Sequence, residues 1–261
     1  MSRPGSDSLR ARHEIAHGRK LAAGGAESMW GWGTPAGRLR ADRRCALIAE
    51  GAALRPGTTA LEIGCGTGHF TERFAATGAR IIAVDISPDL LELAAGRRLP
   101  ADRVRFLDRR FEDVRCDDPD LAGWAPRGFD AVIGSSILHH LDIDAALPAI
   151  QGLLKPGGRL SFAEPNLLNP QVLMERKLRR FFPYVSEDEW AVVRWRLSRD
   201  LRRAGFDRIA IDPFDWLHPS TPPALIPLVG GLGRFAEGVP GLREFAGSVF
   251  IRARRREDRG V

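Results

Sequence analysis

Ala60-Leu-Glu-Ile-Gly-Cys-Gly-Thr-Gly-His-Phe70 is the stretch from which the fold can be read. The apolar run 60–63 ends in glycines at alternate positions, Gly64, Gly66 and Gly68, and a helix-compatible run, 70–76, follows. Strand, tight turn and helix in that order leave backbone bare where a ligand can approach closely. The dinucleotide fingerprint places its third glycine where His69 stands here, so the match to it is incomplete. Glu62, just before the turn, would repel a pyrophosphate and suit a ligand carrying positive charge.

Outward from the turn, residues 80–84 are apolar and read as a strand buried on both faces. The strand ends in Asp85, and Ser87-Pro88 opens a helix to about residue 97. An acid at that strand end can accept hydrogen bonds from the two ribose hydroxyls of a nucleoside. The same acid also suits a helix N-terminus for its dipole alone. Further strands are expected at 103–107, 129–134, 159–163, 206–214 and 245–253, with a turn at 155–158. Helices are expected at 38–53, 145–154, 171–182 and 187–204, the last capped by Ser186 and ended by Gly205. The apolar stretch 224–235 reads as helical in part. Alternating strands and helices predict an α/β fold: a seven-stranded, mostly parallel sheet with helices on both faces and small insertions forming a cap. Ligands of such sheets bind outside the C-terminal strand ends.

Two later blocks join the glycine turn. Phe129-Asp-Ala-Val132 opens the fourth strand, and Leu153-Leu-Lys-Pro-Gly-Gly-Arg-Leu160 leads into the fifth. With Glu62 and Asp85 in their places, residues 38–164 resemble the class I, Rossmann-like S-adenosylmethionine-dependent methyltransferases. The resemblance implies S-adenosyl-L-methionine as cofactor, bound by Glu62, Gly64, Cys65, Gly66, Gly68, Asp85, Ile86, Asp108, Phe111 and Ser135. The loop 108–113 would cradle the adenine. The family's acid there falls on Arg110, so Asp108 or Glu112 would substitute, with Phe111 packed on the ring. His139 and His140 follow the fourth strand beside the expected methyl position, and a histidine can take an acceptor's proton near neutral pH. Glu164, at the end of the neighbouring fifth strand, could orient one imidazole. The plainer reading of the three is packing or capping. Trp30 and Trp32, in a loop 24–37, and Asn166, in the insertion after strand five, are candidate substrate contacts. Core anchoring accounts for the tryptophans equally well.

These residues point to methyl transfer to a small-molecule acceptor at oxygen. Two other readings stand beside it. One keeps the cofactor and changes the chemistry, because one fold hosts many reactions. The other is a membrane-surface or partner-binding protein, carried by the apolar, Pro/Gly-rich segment 217–240 and the basic run Arg252-Ala-Arg-Arg-Arg256. Arg176, Lys177, Arg179 and Arg180 form a basic patch that could greet an anionic substrate, a solvated helix face being the plainer reading.

Composition bounds the rest. A chain of 261 residues, 44% hydrophobic, fits one α/β domain. The expected division is a tail and lid loop at 1–37, of which 1–20 is frayed. A methyltransferase domain follows at 38–254, with insertions at 165–184 and 217–240, and a basic tail at 255–261. No run is long and apolar enough for a membrane span, and 1–20 has no apolar core like that of a signal peptide. Cys45, Cys65 and Cys116 lack metal-ligand spacing, so no metal site is expected and a reducing cytoplasm is the simplest home. The net charge of +6 rests almost wholly on dispersed arginines. With no nucleic-acid motif beside them, they do not predict a nucleic-acid partner.

Overall fold

The apolar runs become the strands of one sheet. The computed structural model describes residues 9–121, 123–182 and 192–257. Strands β1 (Thr59–Ile63), β2 (Arg80–Asp85), β3 (Val104–Asp108), β4 (Phe129–Ser135), β5 (Leu154–Pro165), β6 (Phe206–Phe214) and β7 (Ser248–Arg255) lie in the order β3-β2-β1-β4-β5-β7-β6. All neighbours run parallel except β7, which is antiparallel to both β5 and β6. This is the seven-stranded, mostly parallel sheet the sequence predicts. The order of strands reverses between β1 and β4, and the cofactor-type motifs sit at the C-terminal ends on either side of that point.

Side chains alternate between two cores, as the two-residue period of a strand requires. Leu61, Ile63, Ile82, Val84, Val132 and Leu160 face one side, under α6 (Ile143–Leu153) and α8 (Arg194–Arg203). Ala60, Ile81, Ala83, Ala131 and Ile133 face the other, under α3 (Pro35–Ala52), α4 (His69–Ala75) and α5 (Pro88–Ala95). Fully burying one Leu or Ile side chain stabilises by about 1.5–3 kcal/mol, so the central strands are what holds the rim in place. Cap residues fix the helices at that rim. Thr34 accepts from Gly37 N at 2.9 Å ahead of α3, and Ser87 accepts from Leu90 N at 3.4 Å ahead of α5.

The N-terminal expectation is corrected. Residues 9–24 are not a frayed tail but a helix, α1 (Leu9–Gly24), that packs on α5 and seats Leu21 against Leu90. Gly18 allows the close approach, since a Cβ there would lie 2.4 Å from Ser87 Oγ. The expected loop 24–37 contains a short helix, α2 (Ala26–Met29), then a turn into α3, which begins at Pro35. At the other end, residues 155–158 belong to β5 as an irregular stretch where its register against β4 shifts. Residues 242–245 wind into a 3-10 turn, so β7 starts at Ser248. Helix α7 (Pro170–Lys177) is shorter than expected and is followed by a 3-10 turn, Arg179–Phe181. The segment 224–235 is helical in the main, as α9 (Ile226–Gly238). The Ser186 cap and the first residues of the expected 187–204 helix lie outside the described residues.

Candidate active site

Three carboxylates stand at the ends of β1, β2 and β5, and their surroundings differ. Asp85 closes β2. Its Oδ2 accepts from Gly66 N at 2.7 Å and its Oδ1 from Ser87 N at 2.9 Å. The carboxylate therefore braces the glycine turn. Each oxygen has a second lone pair, so the pair can receive two hydroxyl donors. Burial pushes Asp85 upward despite the amides of Ser87 and Gly66.

The turn itself is bent by positive φ at Gly64 and Gly66, 65° and 52°. A Cβ on Gly64 would lie 2.5 Å from Ile137, and one on Gly66 would approach the Trp30 ring at 3.5 Å. The backbone at Gly66 is thus bare on the side where Trp30 of the N-terminal segment leans over it.

Glu164, at the end of β5, is fully buried. Its Oε1 accepts from Ile137 N and Leu138 N, both at 3.0 Å, and its Oε2 lies 2.6 Å from His139 Nδ1. Burial alone would push the carboxyl up. The His139 contact and the two amides outweigh it and hold Glu164 below the usual carboxylate range. Because a carboxylate only accepts, His139 Nδ1 donates, and the neutral ring carries its basic lone pair on Nε2. His139 and His140 form a 3-10 turn after β4, with ring centroids 4.3 Å apart. Nδ1 of His140 lies 3.0 Å from Oε2 of Glu14 on α1.

One cavity of about 690 Å³ runs along this rim, a size that suits a small-molecule ligand. Gly64, Cys65, Gly66, Asp85, Ile86 and Phe111 line one part of it. Ser135, His139 and His140 line another, and Trp30 and Trp32 lie on its wall as well. These eleven of the expected site residues line one cavity.

Five other candidates do not line it. Glu62 shares the Ala60 face of β1, under α3 and α4, where burial pushes it up to about 8 and Oε2 has no hydrogen-bond partner. Gly68 sits one step further round, as the left-handed residue that starts α4. Asp108 is exposed at the end of β3. Glu164 stands behind His139. Asn166 is a structural pin: its Nδ2 donates to Glu244 O at 2.7 Å and Ala246 O at 2.8 Å, and its Oδ1 accepts from Leu168 N at 3.2 Å. The expected substrate contact at Asn166 is therefore corrected to a fold contact.

Trp32 is anchored in the core as well as lining the cavity. It is buried, stands edge-on to Phe70 at 5.3 Å and carries the Arg40 and Arg44 guanidinium groups over its ring.

The sequence reading missed Arg44, Glu27 and the whole of α1. Arg44 is 2% exposed and lines the cavity. It donates to Ala163 O at 2.9 Å, Ser136 Oγ at 3.2 Å and Ser248 Oγ at 2.6 Å. Burial lowers it to about 10, and its Nε has no partner. Glu27 of α2 reaches across to the glycine turn. It accepts from Thr67 Oγ1 at 2.9 Å, pairs with Arg97 and lies 3.2 Å from His69 Nδ1. His69, standing where a third glycine would stand, is thus a strap between the turn and the N-terminal segment. Arg44 was hidden in an amphipathic helix, where only its central position on the buried face could have flagged it.

Comparison with known proteins places this geometry. Residues 61–160 match the family model of a methyltransferase domain. A ubiquinone biosynthesis O-methyltransferase of Xanthomonas campestris pv. campestris is 37% identical over 112 residues, 42% of this chain and 44% of that protein. The chain thus spans about half the length of the curated relatives it matches. Among solved structures, the N-methyltransferase NodS from Bradyrhizobium japonicum WM9, in complex with S-adenosyl-L-homocysteine, superposes with a TM-score of 0.61. It is 16% identical, and the match covers 94% of this chain and all of that one. The [4+2]-cyclase SpnF superposes at 0.53, with 22% identity over 83% of this chain and 81% of its own. The sheet and its strand order give the chain the fold of these solved structures, and residues 61–160 are similar to a methyltransferase domain.

Proposed function

We propose that this protein binds S-adenosylmethionine across the glycine turn and directs its methyl group to an oxygen of a small-molecule acceptor. The observation that carries the reading is a single cavity joining the braced Asp85 carboxylate to the His139–Glu164 pair. The name of the Xanthomonas relative supports oxygen as the acceptor atom. We place the protein in the cytoplasm, in keeping with its three free cysteines.

The residues fit the cofactor. Asp85 would hold the ribose hydroxyls, Gly64 and Gly66 would give backbone access, and Ile86 and Phe111 would flank the adenine. Arg44, a buried cation with no contacting carboxylate among the described residues, would take the carboxylate of the methionyl part. When bound, S-adenosylmethionine supplies a methyl group made electrophilic by its sulfonium.

The chain's own task is alignment and proton removal. His139 takes the acceptor hydroxyl's proton on Nε2, while Glu164 fixes the ring by Nδ1 and stabilises the imidazolium. The two backbone amides on Glu164 Oε1 keep that carboxylate ionised and still. Helices α1 and α2 cover the rim and limit water at the reacting centre.

Isothermal calorimetry with S-adenosylhomocysteine and with NAD tests the cofactor. Binding of the first and not the second is expected, and the reverse would overturn the assignment. A mass gain of one methyl group in a metabolite extract, dependent on S-adenosylmethionine, tests the reaction. Cofactor binding with no methylated product and a cofactor-dependent rearrangement instead would move the protein to the non-methyl chemistry of its fold.

A further inference from the structure

Helix α9 turns an apolar face outward. Leu225, just ahead of it, is 47% exposed, Leu228 59%, Leu232 60% and Phe235 70%. At about 100° per residue these four fall within roughly 80° of arc on one side of the helix. The adjoining side is seated: Gly233 and Ala236 are buried, and a Cβ on Gly233 would lie 2.8 Å from Trp216, a residue of the cavity wall.

The 3-10 turn packed beside α9 adds Leu242 and Phe245, 44% and 48% exposed. Phe245 O accepts from Asn169, the N-cap of α7, at 2.8 Å. Helix α7 then contributes Leu173, Met174 and Leu178, and Phe181 follows at 63% exposure. Contiguous exposed apolar surface of this kind marks an interaction site.

The charges select the partner. Acids near the face are engaged elsewhere: Glu237 pairs with Arg43, and Glu244 with Arg194. Cations remain around it, with Arg234 exposed on α9 and Lys177 and Arg180 exposed around α7. Leucine and phenylalanine on one face, and basic residues that outnumber the one acid of α7, Glu175, whose Oε1 accepts from Gln171, are the features of an interfacial helix on an anionic bilayer.

We propose that the outward face of α9, with the adjoining 3-10 turn and α7, docks on the surface of a membrane rich in anionic lipid. The helix lies in the interface with Leu228, Leu232 and Phe235 among the acyl chains and the basic residues at the headgroups. No helix among the described residues is long and apolar enough to cross a membrane, so the attachment is peripheral.

Sedimentation of the full chain with vesicles of equal parts phosphatidylglycerol and phosphatidylcholine tests this, against vesicles of phosphatidylcholine alone. The full chain should sediment with the anionic vesicles, much less with the neutral ones, and less as salt is raised. The double variant L232E/F235E should lose at least tenfold in vesicle partition, with its thermal midpoint unchanged because both positions are exposed. Absence of vesicle binding overturns the proposal. So does equal binding by the variant, which would leave the basic C-terminal run as the attachment. Light scattering supplies the other arm: a dimer that L232E/F235E converts to monomer, with no vesicle binding, would make the face a protein interface instead.

Discussion

Glu62 and Glu164 are the same residue type, both buried, at the ends of parallel strands of one sheet, yet their environments treat them oppositely. Glu62 faces an apolar layer with one oxygen unpartnered, and burial drives its carboxyl to about 8. Glu164 has two amides on one oxygen and an imidazole on the other, and it is held below the usual range. Asp85, on the far side of Glu62 from Glu164, has two amides and no cation in contact, and it is raised. Burial sets the cost of a charge, and only direct donors decide whether the charge persists. A carboxylate that stays ionised in a dry site can orient and stabilise a cation beside it; one that is neutral cannot. The β5 end thus holds an ionised carboxylate against an imidazole, and the β1 end a carboxyl that burial keeps neutral.

The largest test of that contrast removes the imidazole. His139→Ala should lower kcat by about 10²–10⁴-fold, with affinity for S-adenosylhomocysteine little changed. A normal kcat with a verified acceptor would reduce the β5 end to a structural pair and erase the distinction from Glu62.

Next comes Asp85→Ala. Loss of two hydroxyl hydrogen bonds to a charged acceptor, each worth about 1.5–3 kcal/mol, should weaken S-adenosylhomocysteine binding by calorimetry. Unchanged affinity in a folded variant would remove Asp85 from the cofactor site.

Glu164→Gln keeps the shape but removes the charge that His139 and the two amides stabilise. It should cost about 1–3 kcal/mol of stability at neutral pH, read from denaturant unfolding, and should also slow turnover. A folded-state value below the unfolded one means the contribution is present above the unfolded value and is lost as pH falls through the folded one. The wild-type advantage over Glu164→Gln should therefore shrink in acid.

Glu62→Gln should do the reverse. The folded value is raised, so the ionisable carboxyl is favourable at low pH and increasingly unfavourable as pH climbs from the unfolded value toward about 8. The variant should match wild type near the acid end and exceed it by a margin that grows as pH rises through neutrality. A destabilised Glu62→Gln at high pH would mean that Glu62 is charged in the folded protein, and the opposition between the two glutamates would fail.

The sheet and the seven cofactor candidates that line the cavity were legible because they depend on neighbours in sequence. Alternate glycines force a turn, and an acid closing the next strand must stand beside it. Less was legible where the deciding partner is remote. Helix α1 has a weak amphipathic pattern, and its packing surface is α5, far along the chain. Arg44 takes its oxygens from the ends of β4, β5 and β7. Asn166 sits in a segment that looked open for substrate, and the carbonyls that claim it belong to residues 244 and 246. Glu62 is different, because strand alternation placed it on the Ala60 face from the start. The family resemblance outweighed that geometry.

The N-terminal helix has a practical meaning for anyone preparing this protein. A domain trimmed to begin at residue 38, as the sequence motifs alone would advise, lacks Glu14, Leu21, Trp30 and Trp32 from the cavity wall and Glu27 from its strap across the glycine turn. It would keep the sheet and the motif intact while opening the ligand site to solvent. Inactivity of such a fragment would report on the cloning boundary rather than on the enzyme.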